Sequence, residues 1–378
     1  MDFNFTEEQQ QFADALRRWT VKDYGFEQRH AIVHSAAGVS EQAWATLTEL
    51  GMLALPVPEE QGGFNGSAVD LLVVMQELGR ALVVEPYFAT VLGTQFLKLG
   101  GTHGAELARV AAGELKLACA LGEPQARHDM LDVATTARAE GGGYVLDGRK
   151  SVVIHGAQAD ALIVSARAGE GLALFLVPSD APGLTVRGYR TVDGQRAADV
   201  VLAGVALPAA ARIGPAGDAR ALLEAGLDYG AGLLCAEALG AMQALFDATL
   251  EYLKTRQQFG APIGKFQALQ HRMADMYIHL EQARSMAMLA AVKLGSGDAQ
   301  ERMRAVSAAK YRVGQAARFI GQQAIQLHGG MGVTDELPAA HHFKRLTAIE
   351  LTLGDSDHHL QRFMSFASFP RRRESMDA

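Results

Sequence analysis

Apolar residues recur at helical spacing through the first and last thirds of the chain, and in short β-like runs between them. Thr6 and Gln9 form a capping-box pair, with Phe12 and Leu16 on one face behind it, so the start reads as a helix. Helical patterns return at about 41–50, 68–83, 86–99 and 103–112, and Gly62-Gly63 marks a loop between them. The pattern changes near Leu115. Short runs follow at Leu117–Leu121, Val133–Ala137, Tyr144–Leu146, Ser151–Ile154, Ala161–Ser165, Leu172–Val177, Leu184–Arg187 and Asp199–Val205, and Asp147-Gly148 reads as a hairpin turn. Many short strands parted by turn residues predict a small antiparallel barrel or sandwich.

Helical spacing resumes from about Ala219. Leu239, Met242, Phe246, Thr249 and Leu253 share one face, as do Phe266, Leu269, Met273, Met276 and Leu280. A methionine-rich face of this kind is read as bundle core. A third helix is predicted from about Arg302 to Leu327, and long antiparallel helices imply a four-helix bundle. The expected class is mostly α with a central β domain. The division runs 1–114 for an N-terminal helical domain, 115–214 for the β domain, 215–367 for the bundle and 368–378 for a disordered tail. No internal repeat is visible.

Composition narrows the function. At 378 residues and 49% hydrophobic, the chain can bury two or three domain cores. A net charge of −7 argues against a general nucleic-acid binder, and the three arginines of the tail do not change that expectation. Cys119 and Cys235 cannot make a disulfide framework, which fits a reducing cytoplasm. The acidic N-terminus lacks the apolar core of a signal peptide. No uninterrupted apolar run reaches the ~18 residues of a membrane span, so no membrane role is expected.

Two segments carry candidate chemistry. Leu253-Lys-Thr-Arg-Gln-Gln-Phe-Gly-Ala-Pro-Ile-Gly-Lys-Phe-Gln267 ends one helix near Gly260-Ala261-Pro262 and starts another near Phe266. Ala324-Ile-Gln-Leu-His-Gly-Gly-Met-Gly332 is a helix end opening into a glycine-rich turn. Together they offer a guanidinium for pyrophosphate, backbone amides for an anion and a flat ring for stacking. Each also has a plain structural reading: Arg256 capping a helix C-terminus, and glycines stopping a helix.

As an ordered pair these segments resemble the acyl-CoA dehydrogenase family, whose C-terminal domain carries R-x-x-F-G…F-Q and then Q-x-x-G-G. The resemblance runs from about Asp2 to about Phe366. It is supported by Leu53–Gly63, Asp132–Ala137, Leu146–Lys150 and Gly354–Leu360. It implies an N-terminal helical domain, a small antiparallel β-barrel and a C-terminal four-helix bundle. It also implies an FAD enzyme that desaturates an acyl-CoA: a carboxylate takes the α-proton and hydride passes to the flavin. The FAD of such enzymes lies across a dimer interface, and an electron-transfer flavoprotein accepts the electrons. Arg256, Phe259, Gln267, Gln326, Gly329 and Gly330 stand where the family binds the neighbour's FAD.

Other family positions are changed. The loop T-E-P-G-A-G-S-D becomes Gly122-Glu-Pro-Gln-Ala-Arg-His-Asp129, losing two glycines and two hydroxyls. The W-I-T flavin platform becomes Val152-Val153-Ile154. The base in Y-E-G-T becomes Leu353, and the position some relatives use instead is Gly230. No catalytic residue is therefore assigned. Glu237, Glu350, Asp355 and Asp357 are candidate replacements, against readings of Glu350 as a surface or ion-paired residue and of Asp355 and Asp357 as turn and capping groups. Glu237 lies two turns, ~10 Å, from Gly230. His128 and His155 could be ligands or acid/base groups, although a lone loop histidine is more often simply solvated.

The expected role is the non-catalytic subunit of a heteromeric enzyme, joined to a larger homologous subunit in a heterotetramer. A self-sufficient homomeric dehydrogenase with a relocated base, and a flavin oxidase or monooxygenase on the same fold, remain open. A dicarboxylyl-CoA is one candidate substrate.

Overall fold

The computed structural model describes residues 5–366; the expected tail at 368–378 lies outside them. The first helices are α1 (Glu7–Asp23), α2 (Phe26–His34), α3 (Glu41–Glu49), α4 (Ala68–Ala81), α5 (Tyr87–Gly100) and α6 (Gly104–Ala111). The α1 capping box forms: Gln9 N–H donates to Thr6 Oγ1 at 3.2 Å and Thr6 N–H to Gln9 Oε1 at 2.9 Å. Ser67 and Asp70 repeat the device on α4. The hydrophobic pattern does not predict α2. Its buried side chains are Arg29 and Val33, so it lacks a broad apolar stripe.

The middle region is an eight-stranded sheet of β1 (Leu117–Ala120), β2 (Thr136–Glu140), β3 (Gly143–Ile154), β4 (Ala161–Ala168), β5 (Gly171–Pro178), β6 (Leu184–Arg190), β7 (Arg196–Pro208) and β8 (Arg212–Ile213). The strand order is β6-β7-β3-β2-β4-β5-β8, with β1 also on β4. The expected all-antiparallel arrangement is corrected: β1 and β2 both pair with β4 in parallel. The Asp147-Gly148 hairpin is also corrected. That dipeptide sits inside β3 at a register shift against β7. A side chain at Gly148 would meet Thr135 Oγ1 at 2.4 Å. The hairpin lies a few residues earlier, at Gly141-Gly142, where φ is 59° and 81°.

The C-terminal bundle is α7 (Arg220–Thr255), a two-stranded hairpin of β9 (Gln257–Gln258) and β10 (Ala261–Pro262), α8 (Gln267–Leu294), α9 (Ala299–His328), α10 (Pro338–Leu351) and α11 (Ser356–Ser365). Every residue of α7 from Asp228 to Met242 is buried, so this helix is the axis around which the others pack. Among the described helices it is the one long and apolar enough to cross a membrane, but 67% of its most apolar window is buried inside the fold. Met242, Met273 and Met276 are core, as their helical spacing predicts.

Two glycines let α4 and α7 touch backbone to backbone. A Cβ at Gly240 would lie 1.8 Å from Gln76 O, and one at Gly79 would lie 2.1 Å from Glu237 O. Gly240→Ala is expected to force the helices apart, costing about 1–3 kcal/mol. Gly297→Ala, which meets nothing within 4 Å, is the control. Urea unfolding measures both; equal midpoints would show that α4 and α7 separate without cost.

Candidate functional site

A cavity of about 340 Å³ opens where the β domain meets α5 and α10. Phe88, Ala89 and Leu92 of α5 line it, with the loop after β1, the end of β3 and the turn after α10. Its wall is mostly apolar. Three of its residues have left-handed backbone: Arg127 at φ 48°, Val152 at 52° and Leu353 at 56°. A β-branched residue such as Val152 rarely adopts this conformation, so the surroundings must hold it there.

Of the two family base positions, Leu353 lines this cavity and Gly230 lies next to Leu353. A Cβ added to Gly230 would lie 2.7 Å from Leu353 Cδ1, so Leu353 fills the space a side chain at 230 would need. The Leu353 turn is pinned from behind. Buried Lys310 donates from Nζ to the carbonyls of Ile349 at 2.9 Å, Glu350 at 3.0 Å and Gly354 at 2.8 Å. Burial lowers the Lys310 ammonium to about 8.

The carboxylates near these positions are engaged elsewhere. Glu237 accepts both arms of Arg345, at 2.6 and 2.8 Å, and Arg345 also reaches Asp193 at 2.8 Å. Glu350 accepts from Arg318 at 3.0 Å, from Ser356 N–H at 3.0 Å and from Ser356 Oγ at 2.8 Å. Asp355 caps α11 through His358 N–H at 2.8 Å and pairs with His128 Nε2 at 3.3 Å. Asp357 is exposed in the first turn of α11. Glu350 is thus ion-paired and Asp355 is a helix cap, whereas Asp357 makes no capping bond among the described residues.

The histidines depart from the solvated expectation. His128 is three-quarters covered and holds Asp355. His155 is buried, with Nε2 2.8 Å from Gln195 Oε1, and burial pushes it down to about 4. Nothing local in the sequence pairs His128 with Asp355, or Arg345 with Glu237 and Asp193, because these contacts join distant elements.

The six candidate cofactor residues form a second locus, and none of them lines the cavity. α7 ends at Thr255, earlier than expected, and Arg256 is its C-cap. Phe259 at φ 55° and Gly260 at φ 76° form the two-residue loop between β9 and β10. That loop holds the Phe259 ring 91% exposed, within 6.1 Å of the Phe266 ring. Gln267 begins α8 at the same junction. Tyr252 stacks on His328 at 4.6 Å, which sets this junction beside the end of α9. There Gln326 is exposed and Gly329 turns the chain at φ 61°. The Gly329 N–H is spent on Gln326 O, which removes it from the amides expected to meet an anion. A Cβ at Gly330 would meet nothing, so nothing in this chain requires a glycine there. The Arg256 guanidinium has no ion-pair or hydrogen-bond partner among the described residues.

The described residues contain no cluster that could hold a metal ion. Family models match the acyl-CoA dehydrogenase N-terminal domain over residues 6–106, the middle domain over 118–204 and the C-terminal domain over 220–365. The acyl-CoA dehydrogenase FadE12 of Mycobacterium tuberculosis is 33% identical over 348 residues, covering 89% of each chain. The ChsE4-ChsE5 complex from Mycobacterium tuberculosis contains a chain with a TM-score of 0.89 at 26% identity, covering 97% of this chain and 98% of that one. A FAD complex of PigA gives 0.87 at 25% identity, covering 97% and 98%. With three consecutive family domains and a helical, β and helical order of elements to match, the chain belongs to the acyl-CoA dehydrogenase family.

Proposed function

We propose that this chain is the non-catalytic subunit of a heteromeric, FAD-dependent acyl-CoA dehydrogenase, similar to the small subunit of pimeloyl-CoA dehydrogenase. A larger homologous subunit, in a heterotetramer, supplies the base, the acyl pocket and the flavin platform. The substrate class is an acyl-CoA, with a dicarboxylyl-CoA as the narrower proposal, and an electron-transfer flavoprotein takes the electrons. Two cysteines that remain free support a cytoplasmic setting.

The observation that carries this reading is the apolar contact of Leu353 with Gly230. Both positions where the family places a base face each other, and neither can accept a proton. The fit to FAD differs between the two loci. At the bundle, the free Arg256 guanidinium suits a phosphate, the Phe259 ring suits a flat face, and the open space over Gly330 admits close approach. Gln267 and Gln326 supply amide donors and acceptors there. In the β domain, Gln125 is tied to Glu123 at 2.8 Å and to Asp132 O at 3.2 Å, the Arg127 backbone is left-handed, and an aliphatic Val152 stands where a stacking ring would be needed. That half does not fit the group. FAD, when bound, supplies the hydride acceptor; this chain holds its phosphates and one flat ring for the neighbouring subunit.

A self-sufficient homomeric dehydrogenase needs a relocated base, and the engaged states of Glu237, Glu350 and Asp355 weigh against it. A flavin oxidase or monooxygenase would need the same β-domain half-site.

Three measurements test the proposal. The purified chain alone should retain little flavin after desalting, read as flavin absorbance per chain; one tightly held FAD per subunit contradicts the reading. Arg256→Ala should weaken FAD retention in the hetero-complex by roughly ten- to a hundredfold, since a charge-assisted contact is worth about 1.5–3 kcal/mol. Lysine should recover part of this, lacking the bidentate fork. Unchanged retention would reduce Arg256 to a helix-end residue. Leu353→Glu should yield no acyl-CoA-dependent reduction of an artificial acceptor by the chain alone. It should also destabilise the fold, because a charged group would replace a partly buried apolar side chain packed against Gly230. Robust turnover would show that only the base had been lost.

A further inference from the structure

The candidate cofactor residues lie on two stretches of chain, 256–267 and 326–330, with most of α8 and α9 between them. To grip one ligand, the two stretches must keep a fixed offset. Within the first, the bonds are local: Ile263 N–H donates to Arg256 O at 2.9 Å and Gln270 Nε2 to Gly264 O at 2.9 Å. Within the second, Gly329 N–H returns to Gln326 O. Side-chain contacts then join the supporting helix ends. Arg272 of α8 donates to Gln323 Oε1 of α9 at 2.8 Å, on the exposed surface. Tyr252 of α7 lies on the His328 ring of α9, with centroids 4.6 Å apart and 29° between the planes.

The stack is the stiffer of these two ties. His328 is buried, so the ring pair is shielded from water, whereas Arg272 and Gln323 exchange their bond with solvent. Each ring is also fixed from its own side. Tyr252 O accepts the Arg256 N–H at 2.8 Å, so the residue with the free guanidinium hangs from the residue that carries the ring. His328 Nδ1 lies 2.8 Å from Ala324 O. A carbonyl only accepts, so Nδ1 carries a proton there, and the bond sets the plane of the imidazole. The next residue, Gly329, opens the turn at φ 61°. Tyr252 Oη also faces His328 O, but 3.4 Å is long for an O–H donor, so ring contact carries the tie.

On the reading of this locus as the grip on a neighbouring subunit's FAD, we propose that Tyr252 and His328 are its positioning residues. Their stack holds Arg256 and the Gly329-Gly330 turn at the offset that lets both engage one dinucleotide. Neither residue is a fixed position of the R-x-x-F-G…F-Q or Q-x-x-G-G motifs, and neither needs to touch the cofactor. Aromatic side chains suit the task, because two rotatable angles leave little freedom to lose.

Four variants test the pair. Tyr252→Leu and His328→Leu remove a ring and keep apolar bulk; Tyr252→Phe and His328→Phe keep the ring. Tyr252 is half-buried, so Tyr252→Leu carries the test if His328→Leu, at a buried site, does not fold. The first readout is amide hydrogen exchange of residues 325–333 in the purified chain, with FAD and partner absent. Exchange there should rise roughly three- to tenfold in the leucine variants, the factor that loss of an aromatic pair corresponds to, and stay within about twofold in the phenylalanine variants. The second readout is FAD retention in the hetero-complex, which should weaken by a similar factor with leucine and recover with phenylalanine. In an Arg256→Ala background, Tyr252→Leu should cost little more, since the group it aligns is gone. Unchanged exchange in Tyr252→Leu overturns the proposal. So does a fully additive effect with Arg256→Ala, which would make the stack a general support of the fold. Retention unaffected by Arg256→Ala alone overturns the subunit reading and the proposal with it. The exchange measurement needs neither FAD nor partner, so the two failures are told apart.

Discussion

Arg345 is the group on which the arrangement of this chain depends. It comes from α10, grips Glu237 of α7 with both arms and reaches Asp193 on the connection between β6 and β7. Arg29 of α2 extends the same network, donating to the carbonyls of Asp193 at 3.1 Å and Leu82 at 2.7 Å. Two guanidinium and two carboxylate groups, all buried, give a neutral set. Burial raises the Asp193 carboxyl, but Arg345 and the Thr191 hydroxyl outweigh it and hold it below the usual carboxylate range. Such a network is weak evidence for net stability, since desolvation offsets its attraction. Breaking it is costly: removing one partner of a buried pair typically costs about 3–5 kcal/mol. Its main effect is registration. It fixes α10 against α7 and the sheet against both, and Arg345 and Asp193 form part of the cavity wall.

This constraint helps set the shape of the cavity wall. α10 is held, so the turn after it must present Leu353 to Gly230, and Lys310 completes the turn by taking three carbonyls. Glu237 is engaged in the process by two hydrogen bonds from Arg345. The bundle locus needs none of this. It is built from local geometry: a capped helix end, a two-residue loop with positive φ and a glycine turn, brought side by side by the Tyr252–His328 stack. Phe259 and Gln326 are exposed there.

Much of the fold was legible because it is locally encoded. The Thr6–Gln9 box, the helices from α3 to α6 and the spacing of Leu239, Met242 and Thr249 depend on residues within one or two turns of each other. Errors came where local and distant signals disagree. Asp147-Gly148 has the composition of a turn, yet a close approach to Thr135 is what requires the glycine, and the turn belongs to Gly141-Gly142. α2 lacks an apolar stripe because one of its two buried residues is an arginine that serves the Arg345 network.

By itself the sequence determined the family, the order of helical and β regions, and the absence of a carboxylate at 230 and 353, since each is a matter of residue type and spacing along the chain. Tertiary structure decided what the remaining polar groups do. It brought Gly230 against Leu353, engaged Glu237 and Glu350 in pairs, set His128 on Asp355 and paired β1 and β2 with β4 in parallel. Such contacts join elements far apart in the chain. Their energies come from burial and charge at the point of meeting, and no local pattern carries a trace of them.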